Sequence, residues 1–239
     1  MNKKKKLINN TMYRKTYVNI IWCLVFVLGI LIIPTFINFG LKYIIHNKYI
    51  CSLLSNIIFI SIMVIVYYRD LKDEFKIFKR KFKDNIKPCL KYYIIGMILM
   101  IGFNIILSSI LGGIALNESQ VRDVLFNHTT YMLINIVLIA PITEELVYRK
   151  SIFTVIKSKW FYATISGLLF GGAHILTNII SGGFVATDLL YILPYGSFGF
   201  MFAVMDYETD TVYSSIMMHS IHNLLNGLLL INLHMLGVL

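Results

Sequence analysis

Three short clusters of ionisable and amide side chains stand inside otherwise apolar stretches of this sequence. They are Glu144-Glu145-Leu146-Val147-Tyr148-Arg149, Phe170-Gly171-Gly172-Ala173-His174 and His219-Ser220-Ile221-His222-Asn223. An ionisable group in an apolar helix is costly, so each is a functional candidate. Glu145 and Arg149 are four residues apart and share a helix face, with the acid toward the N-terminus as such pairs prefer. Glu144 lies about 100° around the same helix and has no partner in its own segment. One carboxylate is thus neutralised and structural, and its neighbour is left to take a proton. Phe170 and His174 are also four apart, as are His219 and Asn223, so each pair projects from one face toward a shared interior. His222, three residues from His219, faces close to it as a supporting group.

The elements that must carry these groups are membrane helices. The chain has 239 residues, of which 57% are hydrophobic and only 14% charged, with a mean hydropathy of +0.73. A soluble domain needs about 25% charged residues to cover its surface, so an ordinary cytosolic enzyme, a disordered tail and a secreted disulfide scaffold are excluded. Cys23, Cys51 and Cys89 are scattered, odd in number and without a C-x-x-C pair, which makes them packing residues. The expected fold is all-α, a polytopic transmembrane bundle forming a single membrane domain over 1–239. Stretches free of Asp, Glu, Lys and Arg give seven windows of spanning length, so about seven spans are expected, within a range of six to eight. They are Thr16–Leu41, Tyr49–Tyr68, Tyr92–Asn117, Val124–Thr143, Trp160–Thr187, Leu189–Met205 and Thr211–Leu239. Lys3–Lys6 mimic the start of a signal peptide, but the apolar stretch that follows is too long for one and reads as a retained helix.

The net charge of +10 sits between the apolar runs, which points to anionic lipid headgroups and topology rather than nucleic acid. Alternate connections carry six, nine and four Lys or Arg, against two, one and none on the other side. That bias places the N-terminus in the cytoplasm. Arg69–Lys91 reads as a basic amphipathic helix on the inner leaflet. Asp206, Glu208 and Asp210 read as a solvated acidic turn, and Pro194 as a kink in the sixth helix. His46, His128 and His234 fall near the expected interfaces. The Asn117 and Asn127 glycosylation sequons are at chance level.

Depth decides whether the clusters can meet. If the fourth helix runs on through Arg149 to Lys157, Glu144 lies roughly 20 Å from that end, with His174 at a similar depth and His219 about 12 Å in. All three then share one zone of a ~30 Å core. A fourth helix that stopped at Thr143 would leave Glu144 at the surface, so the constellation requires Arg149 to be buried and paired.

Glu-Glu-x-x-x-Arg, Phe-x-x-x-His and His-x-x-x-Asn, in this order on successive apolar helices, resemble the CPBP family (CAAX proteases and bacteriocin-processing proteins, or Abi), relatives of the type II CAAX prenyl endopeptidases. The resemblance covers about Leu138 to Leu228 and places the catalytic core at about 130–230. The N-terminal helices, 16–117, carry no matching motif. It implies an intramembrane endopeptidase in which Glu144 activates water, His174 holds it, His219 and Asn223 steady the oxyanion, and Glu145 and Arg149 are structural. Many members have Gly after the Arg, where this chain has Lys150. Glu144, His174 and His219 could also hold zinc or another divalent metal; the chain has no H-E-x-x-H, and a metal-bound and a metal-free water both remain open. The substrate expected is a lipidated or membrane-inserted peptide, such as a bacteriocin or signal peptide. Two other classes compete: a non-catalytic regulator or immunity protein of the same fold, and a small transporter using Glu144 as a proton relay, against which the lack of internal repeats argues. Richness in Lys, Ile and Asn suggests the cell membrane of a low-GC Gram-positive bacterium.

Overall fold

The structure, a computed structural model, describes residues 14–111, 116–180 and 185–238. Lys3–Lys6 and the side chains of Asn117 and Glu118 lie outside them. Among the described residues there is helix and no strand. In chain order the helices are α1 (Thr16–Gly29), α2 (Ile32–Leu41), α3 (Lys48–Arg80), α4 (Phe82–Leu111) and α5 (Leu116–Asn127). A continuous helical run, α6 (Thr129–Val155), follows. The last three are α7 (Lys159–Ile180), α8 (Ile192–Thr209) and α9 (Tyr213–Met235).

Five of the described helices are long and apolar enough to cross a membrane: α3, α4, α6, α8 with its leading turn from Ala186, and α9; a sixth is gained if the bent pair α1–α2 counts as one span. The first window breaks at Ile30–Leu31, with a 62° bend between α1 and α2. The fifth window corresponds to α7.

Two surface features expected from the sequence are corrected. Arg69–Lys91 is not a separate interfacial helix. It is the end of α3 and the start of α4, and its Asp70, Leu71, Glu74 and Ile77 are buried. Pro194 does not kink a helix: a 3₁₀ turn over Ala186–Tyr191 precedes α8, and Pro194 occupies the first turn of α8, where no backbone donor is needed.

Three connections meet at one end of the bundle, bound by ion pairs. Lys81 Nζ pairs with Asp210 (3.2 Å) and Lys159 Nζ with Glu208 (2.8 Å). Arg14 reaches Asp70 at 3.2 Å. Asp206 is buried and accepts from Ser215 N (3.0 Å) and Ser215 Oγ (2.7 Å), fixing the start of α9. The acidic residues therefore form no solvated turn; their carboxylates close this end. Lys157, just past α6, has its ammonium pushed down to about 8, by burial first and then by the neighbouring Lys150.

Lipid gives helices no hydrophobic reason to associate, so close backbone approach through small residues does that work. α7 and α8 show it. A Cβ on Gly167 would stand 2.6 Å from Gly196 O, and one on Gly171 2.8 Å from Ile192 O. Neither obstacle is a flexible side chain. Gly167→Val is expected to part α7 from α8, costing about 1–3 kcal/mol as overpacking does, and to lower the detergent-solubilised Tm. Gly172→Ala, where nothing lies within 4 Å, should leave the Tm unchanged; equal Tm values for both variants would refute close α7–α8 packing.

Candidate active site

α6 positions both carboxylates. Glu145 and Arg149 are fully buried, with Arg149 Nε 2.9 Å from Glu145 Oε2. The guanidinium lies over the Phe170 ring at 4.4 Å and near Phe202 at 5.8 Å, so aromatic faces supply part of what water would. Neither Nη atom has a hydrogen-bond partner among the described residues. The second oxygen of Glu145 accepts from His219 Nδ1–H at 2.8 Å. A carboxylate held ionised by Arg149 can only accept, which settles the tautomer: His219 carries its proton on Nδ1 and turns Nε2 the other way. Nε2 then stands 3.8 Å from Glu144 Oε2. Glu144, with about a fifth of its side chain exposed, lines a cavity of about 680 Å³ that His174, His219, His222 and Asn223 also line.

α7 supplies His174, whose Nδ1–H donates to Phe170 O at 2.8 Å. The ring is stacked between Tyr195 (4.4 Å between centroids, 18°) and Phe170 (4.5 Å). Phe170 is thus shared by both halves of the site, touching His174, His219 and Arg149.

α9 supplies the rest. Asn223, read as an oxyanion donor, has its Nδ2 committed to Ile136 O at 2.7 Å. The cause lies in α6, where Asn135–Ile139 form a π turn. Ala140 N–H goes to Asn135 O, and position 141 is proline with no N–H to offer, so Ile136 O is left without a backbone donor. Asn223 fills that role, which fixes its side chain beside the cavity and leaves one N–H and Oδ1 uncommitted to Ile136. His222 points another way. It accepts from Asn226 Nδ2 (2.9 Å), leaving Nδ1–H to face Tyr93 Oη at 3.3 Å.

Lys150, standing where the resembling family often has Gly, is buried against Glu74 (2.5 Å), with Asp70 at 3.9 Å. Glu74 also accepts from Val212 N at 2.8 Å. This answer to the unusual lysine comes from α3, more than seventy residues away. Tyr148 and Tyr195 line the cavity as well, and only their apolar neighbours in sequence could have marked them. His128 stacks on Tyr49 and His234 on Phe126, both away from the site.

Glu144, His174 and His219 are the donors a divalent metal would need here. Among the described residues no three His, Cys, Asp or Glu side chains are grouped closely enough to hold a metal ion. Glu144 and His219 approach each other, while His174 is tied back to its own helix. No step below is routed through a metal.

Residues 126–225, which contain every group just described on α6, α7 and α9, match the family model "Type II CAAX prenyl endopeptidase Rce1-like". A Bacillus subtilis (strain 168) protein described as "Putative membrane peptidase YdiL" is 27% identical over 145 residues, covering 59% of this chain and 48% of that one. An uncharacterized protein of Mycoplasma capricolum is 33% identical over 105 residues, covering 42% of this chain and 29% of its own. The chain therefore spans about half the length, or less, of these curated relatives. No solved structure matches. Motifs, match and geometry fall on the same hundred residues, and over them this multi-pass membrane chain is similar to the type II CAAX prenyl endopeptidases.

Proposed function

We propose that this chain is an intramembrane endopeptidase that hydrolyses a peptide bond in a lipidated or membrane-inserted peptide of the cell membrane of a low-GC Gram-positive bacterium. The observation that carries the reading is His219: its Nδ1 is bound to the ion-paired Glu145, and its Nε2 faces Glu144 across the floor of a large cavity. A purely structural histidine would not need a second carboxylate on its far side.

In this reading Glu144 is the general base. It takes a proton from a water that attacks the scissile carbonyl, and it returns that proton to the leaving amine. His219 Nε2 and the remaining N–H of Asn223 face the forming tetrahedral centre. His219 donates to an oxyanion only when Nε2 as well as Nδ1 carries a proton. His174, held upright by Phe170 and Tyr195, presents Nε2 to the water. The surrounding apolar helices exclude bulk solvent and strengthen each of these interactions.

Two substitutions separate chemistry from scaffold. Glu144→Gln keeps shape and removes the base. Cleavage of a membrane peptide substrate in proteoliposomes should fall by roughly a hundred- to ten-thousand-fold, with folded yield unchanged. Retained cleavage would end the proteolytic reading and favour a regulator of the same fold. Arg149→Met strands the buried Glu145 charge. It is expected to cost about 3–5 kcal/mol, read as a collapse of folded yield and Tm; normal yield from this variant would show that the pair is dispensable for folding.

A further inference from the structure

His222 is buried and titratable, and the reaction above gives it nothing to do. Three helices hold its ring. α9 carries it, Phe198 of α8 packs on it with centroids 4.6 Å apart, and Tyr93 Oη of α4 stands 3.3 Å from Nδ1. On the other side Nε2 accepts from Asn226 Nδ2 at 2.9 Å. A neutral imidazole that accepts at Nε2 carries its proton on Nδ1, where Tyr93 Oη receives it. Tyr93 lies among the helices without a matching motif, so the fold draws on a residue outside 126–225 to fix this tautomer.

The tautomer in turn fixes Asn226. An asparagine within a helix readily satisfies itself on the carbonyl four residues before it. Asn56, Asn127 and Asn232 do so here, on Ser52 O, Asp123 O and Leu228 O. For Asn226 that carbonyl belongs to His222, and the amide donates to the ring instead. One N–H is committed to Nε2; the second N–H and Oδ1 meet no protein group among the described residues. The residue is exposed and lines the cavity. A polar group left open on an apolar helix is a functional candidate by the same reasoning as Glu144.

Asn226 stands three residues past Asn223 and seven past His219, and all three line the cavity. Side chains three apart on a helix start about 5–6 Å from each other. An extended chain turns the same side outward every second residue, about every 6.6 Å. The two amides are thus spaced to meet main-chain groups one dipeptide apart. A peptide drawn into lipid brings N–H and C=O groups that need partners, and an amide side chain, carrying both donor and acceptor, meets either.

On the proteolytic reading above, we propose that Asn226 binds the main chain of the substrate one dipeptide step from the scissile bond, and that His222 and Tyr93 are positioning residues that hold its amide for that contact. The recognition reads an extended backbone rather than particular side chains.

The test needs no cleavage, so its failure is distinct from failure of the protease reading, which Glu144→Gln decides. The protein is placed in lipid nanodiscs with isotope-labelled histidine, and His222→Gln identifies the His222 resonances. NMR should show His222 protonated at Nδ1 and bare at Nε2; a protonated Nε2 overturns the proposal. Tyr93→Phe keeps the packing on Phe198 and removes the acceptor, so the Nε2–H tautomer should appear. The binding probe is a stearoylated nonapeptide of alternating Leu and Ala with benzoylphenylalanine at its centre, photocrosslinked in the same nanodiscs. Saturable crosslinking is expected, with half-saturation raised about two- to tenfold by Asn226→Leu and by Tyr93→Phe, the range that loss of one net hydrogen bond gives. Replacing alternate amides of the peptide by esters should weaken binding to the unsubstituted chain and add nothing in Asn226→Leu. Equal half-saturation for the unsubstituted chain and Asn226→Leu overturns the proposal. So does the absence of saturable crosslinking, because backbone recognition does not wait on a particular sequence. Tyr93→Phe with tautomer and binding both unchanged removes Tyr93 from its positioning role. Should Asn226→Leu fail to accumulate, Asn226→Ala takes its place.

Discussion

A guanidinium with no solvent exposure, paired with a carboxylate that has none, is the constraint on which this structure depends. Burying either charge alone is prohibitive, so Glu145 and Arg149 must be buried together and at a fixed separation. That requirement holds α6 helical through the level at which its apolar window runs out. It also brings Phe170 and Phe202 against the guanidinium, from α7 and α8, so three helices are placed by one cation. The ionised Glu145 then decides which way His219 faces. A group that does no chemistry in the proposed reaction thereby positions one that does.

Much of this was legible because helix geometry is local. Residues four apart share a face whatever surrounds them, so Glu145 with Arg149, Phe170 with His174 and the single-faced projection of α9 followed from spacing alone. The need for a buried Arg149 followed from depth. What escaped was nonlocal or irregular. No periodicity connects Lys150 to Glu74 across the fold, and nothing in the Asp206–Asp210 stretch marks one of its acids as a buried acceptor for Ser215. The π turns of α6 were invisible because their composition is that of ordinary helix. Nothing in the sequence therefore shows that Asn223, read as an oxyanion donor, has one of its N–H groups committed to Ile136 O.

Apolar windows and helix boundaries differ for a related physical reason. A charge-free stretch says that a segment tolerates lipid, not that it crosses in one straight helix. Thr16–Leu41 has length enough, yet it breaks where Ile30 and Leu31 turn toward the cavity. Arg69–Lys91 looked like a surface helix because its charges are dense. Its Asp70 and Glu74 instead point inward to meet Arg14 and Lys150.

The irregularity at Pro141 has a consequence for how this helix could be altered. Where a proline refuses a backbone donor, the chain has made an acceptor of Ile136, and an amide from another helix hangs on it. An engineer who tidied α6 into an unbroken spiral would raise its local regularity and, in the same stroke, release Asn223 to rotate. The flaw acts as a hook, and in this molecule a better-formed helix would be a looser site.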